Sequence, residues 1–249
     1  MPGGRVAIVH APARAGRLAL VVSLHASGAT AALQQKLTAI DAVADREGFV
    51  VAYPQAAIPK GHGFEWHLPD QPLSDGSAAP ADAPDDVAFI AAVVAEVQRA
   101  HAIDARRIYV TGWSGGARMA SELGCERADL FAAIAPVAGL RFPPQCKATR
   151  PVAVIAFHGT ADRINPYAGS DRPSWTYGVV EAARRWAAHD GCAQLDGCAR
   201  VRLRTIDGAG HVWPGAPPLP PELAQMLGPE TRAVDASTEM WRFFSAHPR

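Results

Sequence analysis

Three segments of this chain carry residues able to transfer an acyl group. Ser114 lies in Gly112-Trp113-Ser114-Gly115-Gly116, Asp162 in His158-Gly159-Thr160-Ala161-Asp162, and His211 in Gly208-Ala209-Gly210-His211-Val212-Trp213-Pro214. A hydroxyl is a poor nucleophile until a base removes its proton, and a buried acid then holds the base in the right tautomer. Ser114 is therefore the expected nucleophile, His211 the base and Asp162 the orienting acid. A Gly/Ser turn capping a helix is the ordinary alternative at Ser114, and a glycine-framed serine alone does not exclude it. Its surroundings weigh against that alternative. Residues 107–111 read as a buried strand and 117–123 as a helix, so Ser114 sits on a sharp strand-to-helix turn that requires small flanking residues. The turn also puts the serine at a helix N-terminus, where free amides and the dipole favour developing negative charge.

A tetrahedral intermediate needs hydrogen-bond donors for its oxyanion. The N–H of Gly115 is one expected donor, and that of Ser27, in Leu24-His25-Ala26-Ser27-Gly28 after an early strand, is the other. His158 is a rival base, but it directly ends an apolar strand, where a histidine more often bonds locally and supports a turn. His25 also ends a strand, on a different loop. Asp171 and Asp190 are the weaker candidates for the acid, one deep in a loop and one at a helix end.

The elements that must position these residues alternate along the chain. Strand-like apolar runs at 6–10, 18–24, 49–53, 107–111, 132–137, 152–157 and 201–206 are separated by longer amphipathic stretches, which predicts a mostly parallel sheet with helices on both faces. The stretch 31–47 places Leu33, Leu37, Ile40 and Val43 on one helical stripe, and 85–100 does the same with Phe89, Val93 and Val97. Residues 176–189 and 236–246 are the remaining predicted helices, the last with Met240, Phe243 and Phe244 inward. Three segments rich in Pro, Gly and small residues, 54–84, 159–174 and 212–231, follow predicted strands. Loops at strand carboxyl ends face the ligand side of an open α/β sheet, so all three should surround one site. The link 139–150 is short, which predicts a cleft without a lid.

At 249 residues, 49% hydrophobic and 19% charged, the chain is expected to form one globular domain, 1–249. Lys+Arg and Asp+Glu are equal at 24 each, so there is no global field to gather nucleic acid or anionic lipid, and neither is expected as a partner. No apolar run approaches the roughly 20 residues of a membrane span. A monomer is expected. The opening Met-Pro-Gly-Gly-Arg lacks the pattern of a secretory leader, as a trimmed chain would too. The four cysteines fall into two local groups, Cys125 with Cys146 and Cys192 with Cys198, although four thiols permit three pairings. Oxidised, they imply export; buried reduced thiols are the alternative. Their spacings are not those of a metal site, and no metal or organic cofactor is expected.

Taken together, several blocks resemble the secreted esterase family of feruloyl esterases and polyhydroxybutyrate depolymerases, within the α/β-hydrolase superfamily. They are Leu24-His25-Ala26-Ser27, Tyr53-Pro54 followed by Trp66, Asp85-Asp86-Val87-Ala88-Phe89, the run 112–119, the run 131–139, His158-Gly159-Thr160-Ala161-Asp162, and Gly210-His211-Val212-Trp213-Pro214-Gly215. Ala26 and Ser27 stand where the family pattern has Gly and often Cys. The resemblance implies an α/β-hydrolase fold without a large lid domain, carboxylester hydrolysis, disulfides Cys125–Cys146 and Cys192–Cys198, and a secreted or periplasmic location. The expected substrate is a bulky or polymer-linked ester, phenolic or polyester, with Trp66, Trp113 and Trp213 as an aromatic wall. A dienelactone-hydrolase-like or peptidase activity, or a binding module without turnover, are the other readings of the same fold.

Overall fold

The structure, a computed structural model, describes residues 4–148 and 150–249. Met1, Pro2 and Gly3, and Thr149 in the link 139–150, lie outside the described residues.

Seven strands form one sheet: β1 (Ala7–His10), β2 (Leu18–Leu24), β3 (Phe49–Pro54), β6 (Ile103–Trp113), β7 (Ala133–Val137), β8 (Ala153–Gly159) and β9 (Val201–Ile206). Their order is β1-β3-β2-β6-β7-β8-β9, with β1 antiparallel to β3 and the rest parallel. β4 (Ile58–Lys60) and β5 (Gly63–Glu65) make a separate hairpin. The sheet is the mostly parallel one expected, on an α/β-hydrolase fold.

Side chains alternate across the strands and feed two cores. Leu20, Val22, Val50 and Val110 meet α3 (Asp86–Ala100), α4 (Gly115–Glu126) and α5 (Val179–His189) on one face. Val21, Val51, Tyr53 and Tyr109 meet α1 (Ala31–Thr38), α2 (Ile40–Glu47) and α7 (Ala236–Ala246) on the other. Strands apolar on both faces are the physical signature of a sheet covered twice. Met240, Phe243 and Phe244 of α7 are buried as expected, with Phe244 stacked on Tyr109 at 4.7 Å.

The helical stripe at 31–47 is not one helix. Ala39 takes a left-handed conformation, φ 53°, ending α1 and opening α2. The Ser237 hydroxyl donates to the Thr38 carbonyl at 2.7 Å, satisfying an acceptor that the break exposes. Leu37, Ile40 and Val43 are buried, but Leu33 is turned away from the sheet and half exposed. A second departure is α6 (Pro221–Leu227), inside a segment read as loop. Pro221 at its first position and Gly228 just beyond its end are ordinary start and stop residues, obscured by the surrounding prolines.

Both disulfides pair as the resemblance implied, Cys125 with Cys146 and Cys192 with Cys198. The first ties the link after β7 to α4. Among the described residues no helix is long and apolar enough to cross a membrane.

Candidate active site

The sheet's order decides where chemistry can occur. From β2 the chain moves to β3 on one side and later returns as β6 on the other, so β2 and β6 lie side by side with Leu24 opposite Gly112. At such a reversal the two following loops diverge to opposite faces and leave a crevice. The loop after β2 carries Ser27; the turn after β6 carries Ser114.

Ser114 has φ 55° and ψ −112°, a strained backbone for a residue with a side chain. Its N–H donates to the Val137 carbonyl at 2.9 Å, and its carbonyl accepts from Ala117 and Arg118 at 3.0 Å. Close packing explains the glycines around it. A Cβ at Gly112 would strike the Gly116 carbonyl, and one at Gly116 the carbonyls of Leu24 and His25. A Cβ at Gly115 would strike the Ser27 hydroxyl and come within 3.1 Å of the Ser27 nitrogen, so these two backbones share one corner. Among the described residues, neither the Gly115 nor the Ser27 N–H meets an acceptor.

Asp162 follows β8 and His211 follows β9. The two loops are pressed together: Ala161 N–H donates to the Ala209 carbonyl at 2.9 Å, and Gly208 N–H to the Thr160 hydroxyl at 2.8 Å. His211 is fixed from the other side by α6, its own N–H donating to the Leu227 carbonyl at 2.7 Å. The result is a buried pair in which His211 Nδ1 lies 2.7 Å from Asp162 Oδ2. The other carboxylate oxygen accepts from the backbone of Ile164 at 2.9 Å and Asn165 at 2.7 Å. Burial by itself would raise the Asp162 carboxyl, but the side-chain bonds from His158 and His211 outweigh it and hold the group well below the usual carboxylate range. Asp171 is exposed and Asp190 is at the end of α5; neither joins the pair.

Two other histidines near the site have supporting places. His158 Nε2 lies 2.8 Å from the Asn165 carbonyl and 3.2 Å from Asp162 Oδ2. His25 Nε2 accepts from the Ala56 N–H at 3.1 Å, which leaves Nδ1 to donate to the Ala26 carbonyl at 2.9 Å, next to Ser27. Burial pushes the His25 imidazole down to about 4.

Ser27, Trp113, Ser114, Gly115 and His211 line one cavity of about 350 Å³. Each of the three long loops reaches it, through Ser74, through Asn165 and Arg172, and through Leu223, Met226 and Leu227. The residues contributed by 212–231 belong to α6. The expected aromatic wall reduces to Trp113. Trp66 is buried behind the β2 loop, its Nε1 donating to the His25 carbonyl at 2.8 Å, and Trp213 is buried behind Trp113, donating to Ser237 at 3.0 Å. Each indole N–H found a partner inside the protein, which fixes the ring there.

Residues that the sequence reading passed over also line the cavity: Arg118, Asn165 and Arg172, with Leu33 and Leu37 of α1. Arg118 had a signal, a cation on the apolar helix that follows the serine. Among the described residues, no group of three or more His, Cys, Asp or Glu side chains is placed to hold a metal.

The model of the family described as esterase PHB depolymerase matches residues 6–171. The chain is 31% identical over 243 residues to the putative esterase NocK of Nocardia uniformis subsp. tsuyamanensis, covering 82% of this chain and 68% of that protein. It is 30% identical over 154 residues to feruloyl esterase B of Piromyces equi, covering 51% of this chain and 29% of that one. Thus it spans two thirds of the first relative's length and under a third of the second's. An acetyl xylan esterase from Aspergillus awamori shares the fold, with a TM-score of 0.62 at 16% identity over 90% of this chain and 94% of that one. The chain belongs to the esterase PHB depolymerase family, among the carboxylic ester hydrolases of α/β-hydrolase fold.

Proposed function

We propose that the chain hydrolyses carboxylic esters through an acyl-enzyme on Ser114, with His211 as base and Asp162 orienting it. The observation that carries this reading is the 2.7 Å bond from His211 Nδ1 to Asp162, with His211 and the strained Ser114 on the walls of one cavity. Ser114 Oγ attacks the ester carbonyl carbon as His211 Nε2 takes its proton. The oxyanion that forms accepts from the N–H groups of Gly115 and Ser27, which meet no other acceptor among the described residues. Collapse expels the alcohol, which leaves with the proton from His211. Water then attacks the acyl-enzyme by the same route and releases the acid. Ser114 Oγ and His211 make no hydrogen bond in the structure, and such contacts commonly tighten when substrate binds.

Bulky or polymer-linked esters are the proposed substrates, of the feruloyl or polyester kind carried by the family's description and by the relative from Piromyces equi. The cavity of about 350 Å³ suits one acyl unit of such a polymer. The two disulfides support export to an oxidising compartment.

Labelling with a fluorophosphonate probe tests the nucleophile. Wild-type protein should be modified at Ser114 and should hydrolyse at least one of methyl ferulate, acetylated xylan, a hydroxybutyrate oligomer and an aromatic polyester. Ser114→Ala should lose both properties; hydrolysis unchanged in that variant rejects the assignment.

A further inference from the structure

The cavity is lined by two unlike kinds of side chain. Leu33 and Leu37 of α1, with Leu223, Met226 and Leu227 of α6, line it with hydrocarbon, and Leu37 and Leu227 belong to the core on the α1 side of the sheet. The lining also holds two guanidinium groups, Arg118 of α4 and Arg172 of the segment after β8, together with Ser174.

Arg118 lies one helical turn beyond Ser114 and is only 7% exposed. Among the described residues no carboxylate comes within ion-pair distance of it. Its Nη2 has one neutral partner, Gln71 Oε1 at 3.3 Å, and its Nε is buried without any acceptor. Glu65 and Glu122 act on it favourably from farther away, but each carboxylate is otherwise engaged: Glu65 accepts from Ser74, and Glu122 from Gln71 at 3.0 Å. Arg172 adds like-charge repulsion. A buried cation that lacks a charged partner is costly to keep, and a planar guanidinium with a free N–H edge matches a carboxylate. Arg172, more exposed, donates to the Ile164 carbonyl and to the Ser170 hydroxyl at 3.4 Å, and faces the same cavity.

We propose that the preferred substrates are esters that also carry a free carboxylate, held by Arg118 and Arg172 while the apolar remainder lies on α1 and α6. Half-esters of dicarboxylic acids and short hydroxyacid oligomers with a free acid end have this chemistry. The inference rests on Ser114 as the nucleophile and adds specificity to it.

Paired substrates test it, one pair for each side of the ester. Monomethyl glutarate against dimethyl glutarate places the carboxylate on the acyl part; 3-acetoxypropionate against 3-acetoxypropionamide places it on the alcohol part. Wild-type kcat/KM should favour the charged member of at least one pair. In Arg118→Met and Arg172→Met the ratio of charged to neutral kcat/KM in that pair should fall by about tenfold or more, as loss of a charge-assisted bond requires. Arg172 is near the surface, so its variant decides the matter if the Arg118 variant does not fold. A wild type without preference for either charged ester, or a ratio unmoved in the folded variants, overturns the proposal. Failure of the nucleophile reading looks different: neutral and charged esters are then both left intact by the wild type, or both cleaved by Ser114→Ala.

Discussion

His158 Nε2 lies 3.2 Å from the same carboxylate oxygen of Asp162 that His211 Nδ1 approaches at 2.7 Å. The carboxylate is thus clamped on its Oδ2 side by two imidazoles and on its Oδ1 side by two backbone amides. His158 is i−4 to Asp162 and is carried by β8 itself, so the strand aims the acid.

Replacing His158 should misplace Asp162 without touching substrate. His158→Ala is expected to lower kcat roughly tenfold, equivalent to ~1.4 kcal/mol of barrier, with KM little changed. Steady-state kinetics on a soluble ester checks this. An unaltered kcat in a folded variant shows that the clamp on the Oδ1 side suffices.

Neighbouring glycines of the turn at Ser114 should fail differently. A methyl at Gly115 meets the end of the Ser27 side chain and the edge of its backbone, whereas one at Gly116 meets two backbone carbonyls. Gly115→Ala is expected to fold and to lose about 10²–10³ in kcat, the usual cost of displacing an oxyanion donor. Gly116→Ala should instead lower the melting temperature markedly, because β2 and α4 must separate to admit it. Thermal melts beside kcat measurements distinguish the two.

Burial in α4 pushes the Glu122 carboxyl up to about 7. The folded state therefore keeps a proton that the unfolded chain releases near its ordinary value of about 4.3. The stability this group contributes is complete below that value and is lost as pH rises through about 7. Glu122→Gln, which retains a partner for Gln71, should gain stability relative to wild type between pH 4.5 and 7.5, by at most about 3 kcal/mol. Urea titrations of both proteins at the two pH values measure it; a difference that does not change with pH removes Glu122 from the account.

What the sequence by itself determined here was local and periodic. The strand runs, the parallel sheet and the glycine-framed turn at Ser114 follow from side-chain alternation and steric demand within a few residues of each position. The sequence order of Ser114, Asp162 and His211 marked them as one candidate set before any distance was known. The break at Ala39 was not legible, because the hydroxyl that satisfies it comes from Ser237, 199 residues away from Thr38. Nor was the fate of the tryptophans: a position beside a site residue says nothing of which way the ring turns, and internal hydrogen bonds drew Trp66 and Trp213 inward. Only the tertiary structure brought Arg118 and Arg172 to one cavity, since cavities are built by elements distant in the chain. The candidate reacting groups were therefore readable from residue types and spacing, while the walls of the cavity around them were decided by packing.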